Sequence, residues 1–529
     1  MNKNLFSNKT PGKTIPAPNT VNNAGGLAYL RDDESQLAQL AITGCFGNTY
    51  YVSADSQLKD VIALAKKCSP LFVAQTAIYA RKQGMMKDMP AVLAAVLSTR
   101  DLPLLKQIFP VVIDNVKMLR NFVQVIRSGV VGRKSFGTAL KNLIRQYFNN
   151  KTPEQLFKQS LGTSPSIGDI IKMVHPKPKD EATSMTFAYL TGKEVLAKGA
   201  LPQLLQDYMA FREDQTKAMP NLNFQFLSSL PLTKEQWTQL CLTSTYNTLR
   251  MNLNTFNRHG VFKDNTVTSK VIARLTDPKE IKKSKVMPYQ IYSAYKHIDS
   301  ELPPGMAQAL AKAADISLDN IPDLPANLVI GLDTSGSMSS TVTGNRGSAS
   351  SKMKYIDVAA LMAAAIVSKC PTATVIPFDT RYHKGFKMKG SIVDTAEALS
   401  KFGGGGTECS IPIQEAAKMS NVDAIIIISD NESWASTARD SMTEWRKVQK
   451  KNPNAKLINI DISPSHSTQT KDEQNIINIG GFSDSVFNVI SNYLSGSIDQ
   501  WIEIIEKIDI SNTPVTTTSV ETSVENTEE

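Results

Sequence analysis

The sequence predicts two folds in series: a solenoid-like domain of α-helical repeats, then a doubly wound α/β domain. Three observations carry this reading. From about Ser56 to Ala314 apolar residues recur at three- and four-residue spacing, and many separators are rich in Pro, Gly or Asn. The proline-bearing junction Ile321-Pro322-Asp323-Leu324-Pro325 ends that regime. Beyond it, short and largely apolar runs alternate with helical stretches, the pattern of a parallel sheet covered on both faces.

Taken in order, residues 1–20 are polar, hold Pro11, Pro16 and Pro18, and are expected to be a disordered lead-in without secretory character. The helical repeat domain is expected over 21–325. Within it Pro70–Gly84 opens on Pro, carries a helical apolar spacing and stops at Gly. Pro90–Thr99, Val111–Ser128, Phe136–Phe148, Lys234–Leu242 and Pro288–Ile298 read as helices too. No strict repeat is visible, yet antiparallel helix pairs stacked side by side are the natural packing for such a run. The α/β domain is expected over 326–510. Its strands are Leu328–Leu332, Ala373–Phe378, Ala424–Ser429 and Leu457–Ile462, the last interrupted by Asn459 and Asp461. Helices are expected at Val358–Cys370, Thr395–Lys401, Ile411–Met419 and Thr443–Lys450. Residues 511–529 carry no core-forming pattern and are expected to be a disordered tail.

Composition narrows the function classes. Hydrophobic residues make up 41% and charged residues 20%, a balance that excludes wholesale disorder. No apolar run approaches the roughly 20 residues of a membrane span. Five cysteines lie far apart with no CxxC pair, which argues against a zinc knuckle or a disulfide framework and fits a reducing compartment. A soluble cytoplasmic protein with no membrane partner is therefore expected. The net charge of +9 is unevenly divided. From Ala326 onward 18 basic residues face 24 acidic ones, a net of −6; the 40 basic and 25 acidic residues before that point give +15. A basic first part suggests a polyanion partner, the alternative being solvated lysines on helix surfaces.

The strand ends hold the chemistry, because ligands of a doubly wound sheet bind outside the carboxyl ends of its strands. The first strand runs into Asp333-Thr334-Ser335-Gly336-Ser337, a carboxylate and two hydroxyls at alternate positions of a tight turn. Gly403–Gly406 lead to Thr407, and the third strand ends in Asp430. Asp333, Ser335, Ser337, Thr407 and Asp430, with water, match Mg²⁺ or Mn²⁺ better than zinc, which wants imidazole or thiolate. Two other motifs fail on inspection. The LDTSGS run has a Ser before its Gly and no second copy to share a proton, so it is not an aspartic-protease signature. Gly12-Lys13-Thr14 lacks the first glycine of a P-loop and follows no strand. No nucleophile motif or HExxH is present; a nuclease reading would need a second cation and a further acidic cluster, and Glu408 and Glu432 lie nearby in sequence. No enzyme activity is expected.

The DxSxS…T…D order is that of the metal-ion-dependent adhesion site, and the C-terminal region resembles von Willebrand factor A domains across about 326–510. Cys45–Tyr51, Phe136–Lys141, Leu249–Asn254 and Pro288–Tyr292 look like the recurring segments of the TROVE module, and Gly404–Ile413 and Ser429–Glu432 like the A-domain loops of the same proteins. The chain thus resembles the Ro ribonucleoprotein autoantigen family, in its bacterial form, across roughly 20–510. That resemblance implies a monomeric ring of HEAT-like repeats closed by the A domain. It implies small noncoding Y-like RNAs on the outer basic surface, single-stranded 3′ ends of misfolded RNAs in a central hole, and an exoribonuclease partner. RNA, and not DNA, is the expected nucleic acid. Lys158 and His175 match family positions that contact Y RNA, while Gly162 stands where an arginine is expected. The remaining RNA candidates come from the residues themselves. Lys134, Lys141 and Arg145 are seven and then four apart, and share a face if their helix reaches back to Lys134. Arg133, Lys172 and Lys177 extend the basic run. Arg250 and Asn254 belong to a second polar cluster with Arg258 and His259, which either meets RNA or bonds inter-repeat backbone. The alternative function is a metal-dependent module that captures a partner protein's carboxylate, with RNA incidental.

Overall fold

The computed structural model describes residues 15–511 except 47–52, 163, 325–326, 343–352, 436–437, 482–484 and 497–499. Gly12–Thr14, Tyr50, Tyr51 and the tail from Asn512 lie outside the described residues. Among those described, no helix is long and apolar enough to cross a membrane.

The first part is helical. Its opening helices are α1 (Asp33–Thr43), α2 (Ala54–Lys67), α3 (Pro70–Lys82), α4 (Met89–Arg100), α5 (Leu102–Val112), α6 (Val116–Ser128), α7 (Gly137–Asn149), α8 (Pro153–Lys158) and α9 (Ile167–Val174), and the series runs on to Met306–Ser317. Local sequence sets the boundaries. Ser53 and Ser69 cap α2 and α3 by accepting from Ser56 N and Phe72 N, and Thr152 and Ser166 build capping boxes on α8 and α9. Gly129, at φ 83°, ends α6 in the left-handed region. One expected start is corrected: the helix placed from Val111 begins at Val116. Asn115 caps it by accepting from Met118 N, and Pro110 and Val111 belong to α5.

Arginines tie neighbouring helices together. Arg100 donates to the Ala65 carbonyl and, at 2.8 Å, to Cys68 O, at the end of α2. Arg274 donates to Leu242 O at 3.0 Å and Ser244 O at 2.9 Å, where helix Lys234–Thr243 stops. The last carbonyls of a helix have no partner within it and carry its negative dipole end, so a guanidinium from the next layer satisfies both needs.

The α/β part has five parallel strands, β3 (Leu328–Asp333), β4 (Thr374–Phe378), β5 (Ala424–Ser429), β6 (Lys456–Asp461) and β8 (Ile476–Gly480), in the order β4-β3-β5-β6-β8. Every residue of β3 and β5 is buried, as continuous apolar runs require. Strand β8 was not anticipated: the polar Asn478 interrupts it as Asn459 interrupts β6. The two asparagines pair in register, Asn459 Nδ2 donating to Asn478 Oδ1 at 3.0 Å, so buried amides satisfy each other.

Residues 15–20 of the expected lead-in are built into the fold. A hairpin of β1 (Thr20–Val21) and β2 (Leu27–Leu30) pairs antiparallel with β7 (Ser467–Thr468) of the α/β part, and Tyr29 Oη donates to Pro16 O at 2.8 Å. Helix α1 follows onto the sheet, where Gln39 Nε2 donates to Ser463 O at 3.0 Å. Farther along, Trp501 Nε1 donates to Tyr79 Oη at 3.1 Å and Gln75 Nε2 to Ile508 O at 3.2 Å. On the other side Lys296 meets Asp357 at 3.1 Å and Asp315 Oδ1 accepts from Ile392 N at 2.9 Å. The α/β domain thus grips both the first and the last helices, and the helical series closes into a ring.

Candidate metal centre and nucleic-acid interface

Three loops at the carboxyl end of the sheet converge. Asp333 ends β3 fully buried, its Oδ1 accepting from Ser335 N at 2.8 Å and its Oδ2 from Ser429 Oγ at 2.5 Å. Ser335 Oγ and Ser337 Oγ lie 3.2 Å apart, and Ser337 also hydrogen-bonds the Asp430 carboxylate. The glycine loop is clipped to this turn by Gly404 N to Thr334 O at 2.8 Å and Gly336 N to Gly405 O at 2.9 Å. It carries Thr407, whose carbonyl accepts from Ser433 Oγ at 3.2 Å beyond Asp430. All five predicted residues are buried; hydrogen bonds link Asp333 to Ser335, Ser335 to Ser337 and Ser337 to Asp430, while Thr407 is tied in through its backbone carbonyl.

The electrostatics of the cluster are those of an uncompensated anion pair. Burial first, and the facing Asp430 second, push the Asp333 carboxyl above the usual carboxylate range. Burial raises Asp430 as well, against its Ser337 hydrogen bond and with the repulsion of Glu432. Two carboxylates and converging hydroxyls, with no imidazole or thiolate donor among them, could hold one hard, oxygen-seeking cation. Among the described residues no group of three or more His, Cys, Asp or Glu is assembled for a metal. Glu432 is committed elsewhere: it accepts from Asn23 Nδ2 at 2.6 Å and Ala24 N at 3.2 Å of the N-terminal hairpin. Glu408 accepts from Ser410 Oγ at 3.0 Å.

The RNA candidates divide by use. Lys134, Lys172, His175 and Lys177 are exposed, and Lys141 is half-buried. Helix α9 packs against both α6 and α7, so these residues share one region, joined by exposed Arg127 and Lys179. Lys134 lies before the first residue of α7, so the helical-face argument holds for Lys141 and Arg145 alone. Lys158 pairs with Glu154 at 2.8 Å. The others are occupied by the fold. Arg133 donates to Ser98 O, Ser135 O and Phe136 O. Arg145 donates to Val174 O at 2.6 Å, capping α9. Arg250 is buried and donates to Gln290 O at 2.9 Å; Asn254 donates to His297 O at 2.8 Å and accepts from Asp299 N. For Arg250 and Asn254 the inter-repeat alternative is the one the fold adopts.

The family model of the Ro60 von Willebrand factor A domain matches residues 327–494. The RNA-binding protein RO60 of Deinococcus radiodurans is 25% identical over 514 residues, spanning 90% of this chain and 95% of that protein. Over nearly its whole length the chain is similar to an Ro protein, and its α/β part matches the Ro60 A domain. The RNA-binding protein RO60 of Caenorhabditis elegans is 22% identical over 244 residues, 43% of this chain and 37% of that protein. The crystal structure of the Deinococcus radiodurans RO (RSR) protein superposes with a TM-score of 0.63 at 18% identity, covering 88% of this chain and all of that one, so the two share the fold.

The structure shows further polar groups that sequence reasoning missed. Asp379 follows β4, accepts from Arg381 N at 3.1 Å and Gly405 N at 3.2 Å, and lies 2.9 Å from His383 Nε2. Burial opposes its ionisation, but these donors outweigh it and hold the carboxyl below its ordinary value. Its signal was readable, a carboxylate directly after a strand. Lys279, Lys282, Lys283 and Lys285 are exposed on and after helix Pro278–Ser284, four lysines within seven residues. The Asn22 and Asn23 contacts to the Asp430 loop had no signal, because the segments are about 400 residues apart in sequence.

Proposed function

We propose that this protein is a noncatalytic RNA-binding scaffold. It holds small, structured, Y-like noncoding RNAs on an outer basic surface and takes single-stranded 3′ ends of misfolded RNAs into the central hole. As a monomeric ring, it presents such RNAs to an exoribonuclease in RNA quality control. One observation carries the reading. Arg127, Lys134, Lys141, Lys172, Lys177 and Lys179 gather around α6, α7 and α9, and none forms an ion pair among the described residues. Lys172 and Lys179 face Asp169 and Asp180 without pairing to them; cations held in no ion pair gain most from phosphate, through release of its counterions. The names of the Deinococcus and Caenorhabditis relatives, both RNA-binding proteins, support it. Reversing Lys141, Lys172 and Lys177 to Glu should weaken binding of a structured RNA at least roughly tenfold near physiological salt and flatten its salt dependence. Filter binding across a salt series measures both. Unchanged affinity in the folded triple variant would reject the surface.

We also propose one divalent cation, Mg²⁺ or Mn²⁺, held by Asp333, Ser335, Ser337, Thr407 and Asp430. The second reading, capture of a partner's carboxylate by that cation, is favoured by Trp434. It stands 57% exposed over Gly406, its backbone N–H bonded to Thr407 O at 3.2 Å, at the lip of the cluster. Asp333→Ala separates the readings: RNA affinity persists under the first, and protein capture is lost under the second.

A further inference from the structure

The helical half contains an aromatic stack that the fold does not need closed. Trp237 is buried on helix Lys234–Thr243, edge-on to Phe256 with centroids 6.3 Å apart and tilted against Phe224 at 6.0 Å. On it lies the His259 ring, stacked at 3.9 Å and 10°. His259 is exposed, and neither imidazole nitrogen has a hydrogen-bond partner among the described residues. A ring pinned flat on one face by a buried indole presents its other face to solvent at little further entropic cost.

Charge surrounds this platform. Lys234 opens the helix that carries Trp237, and Arg258 and Lys263 flank His259; all three are exposed. The Lys263 side chain lies over Gly260, its Cδ 3.6 Å from where a β-carbon would stand. Arg258 donates to Thr255 Oγ1 at 3.1 Å. Two anions lie nearby: Asp264, which caps the next helix through Thr266 N and Val267 N and also faces Lys234, and Glu235, beside Lys234 in the first turn of its helix. An exposed flat ring among cations is how single strands are held: bases stack and phosphates meet lysine and arginine.

We infer that His259, seated on Trp237, is a stacking site for an unpaired nucleobase of single-stranded RNA, with Lys234, Arg258 and Lys263 contacting the flanking phosphates. The site rests on the RNA-binding reading above and names a contact that the α6–α7–α9 surface does not include. The probe is an oligouridylate of about ten nucleotides, a length suited to a single-strand groove, and a second copy carrying one 2-aminopurine. With the full chain, His259→Ala should bind roughly tenfold more weakly and lose 2-aminopurine quenching, whereas His259→Phe should stay within about twofold of the parent, since stacking needs only a π face. If His259→Ala binds and quenches like the parent, the site is wrong while RNA binding stands. If His259→Phe falls with His259→Ala, stacking is not the interaction. If the parent retains neither the oligouridylate nor a structured RNA, the RNA-binding reading itself fails, and this site with it.

Discussion

At the scale of single residues, the buried carboxylate pair sets a testable pH signature. Asp333 and Asp430 are both raised by burial, and Asp333 further by the charge facing it. A carboxyl raised in the folded state keeps a proton that the unfolded chain has already released. Between the ordinary carboxylate range and the raised value the native state binds more protons, so stability falls as pH rises. The chelated protein should therefore melt at progressively lower temperature from about pH 5 to pH 7.5. Adding Mg²⁺ at about 100 times its dissociation constant should restore about 2.7 kcal/mol, and Asp333→Asn should shrink the slope to the part that Asp430 supplies and remove the response. Calorimetric melts with chelator or Mg²⁺ read this directly; a flat chelated profile would count against an uncompensated pair. These carboxylates were legible because the motif is local, each residue lying at a strand end. The basic residues were less so. Arg133 and Lys134 are neighbours in sequence, yet one is absorbed by three carbonyls and the other is exposed.

At the scale of elements, the same distinction becomes an energetic one. Arg250 joins its own helix, Tyr246–Met251, to Pro288–His297 through Gln290 O, as Arg274 joins the helix ends at Leu242 and Ser244. Removing the buried Arg250 leaves the half-buried Gln290 carbonyl without its donor, so Arg250→Ala should cost about 1–3 kcal/mol. Lysine should not fully rescue it, because a single ammonium does not reproduce the fork that reaches both Asn247 and Gln290. Urea denaturation checks the stability, and RNA titration of the folded variant should be unchanged; a selective loss of RNA affinity would return Arg250 to the interface. Helices with Pro starts and Gly stops were readable from sequence. The break at Ile113–Asn115 was not, since LPLLKQIFPVV is apolar but for Lys106 and Gln107 and the stop lies in one asparagine cap. Strand β8 was hidden because Asn478 looks exposed until its partner Asn459 is placed across from it.

At the scale of the whole molecule, the contact that matters most joins the two ends of the chain. Arg31, just after the N-terminal hairpin, meets Asp461 at the end of β6 at 3.2 Å, with both side chains 1% exposed. Its Nε also donates to Ser467 O at 3.4 Å, and Asn431 Nδ2 approaches the same Asp461 oxygen at 3.4 Å. The pair lies between the strap formed by β1 and β2 and the loop that carries Asp430, so the α/β domain is completed by residues that precede the entire helical ring. No local pattern could reveal this, since the pairing spans 430 residues. Burial pushes the Asp461 carboxyl above its ordinary range and Arg31 opposes that shift; breaking one side of a buried pair costs about 3–5 kcal/mol, whereas replacing both partners with apolar groups of similar volume is often neutral. Arg31→Met should therefore destabilise the protein strongly, and Arg31→Met combined with Asp461→Leu should recover most of the loss. A double variant no more stable than the single one would mean that Arg31 acts chiefly through Ser467 and the strap, and that the ion pair is incidental to closing the ring.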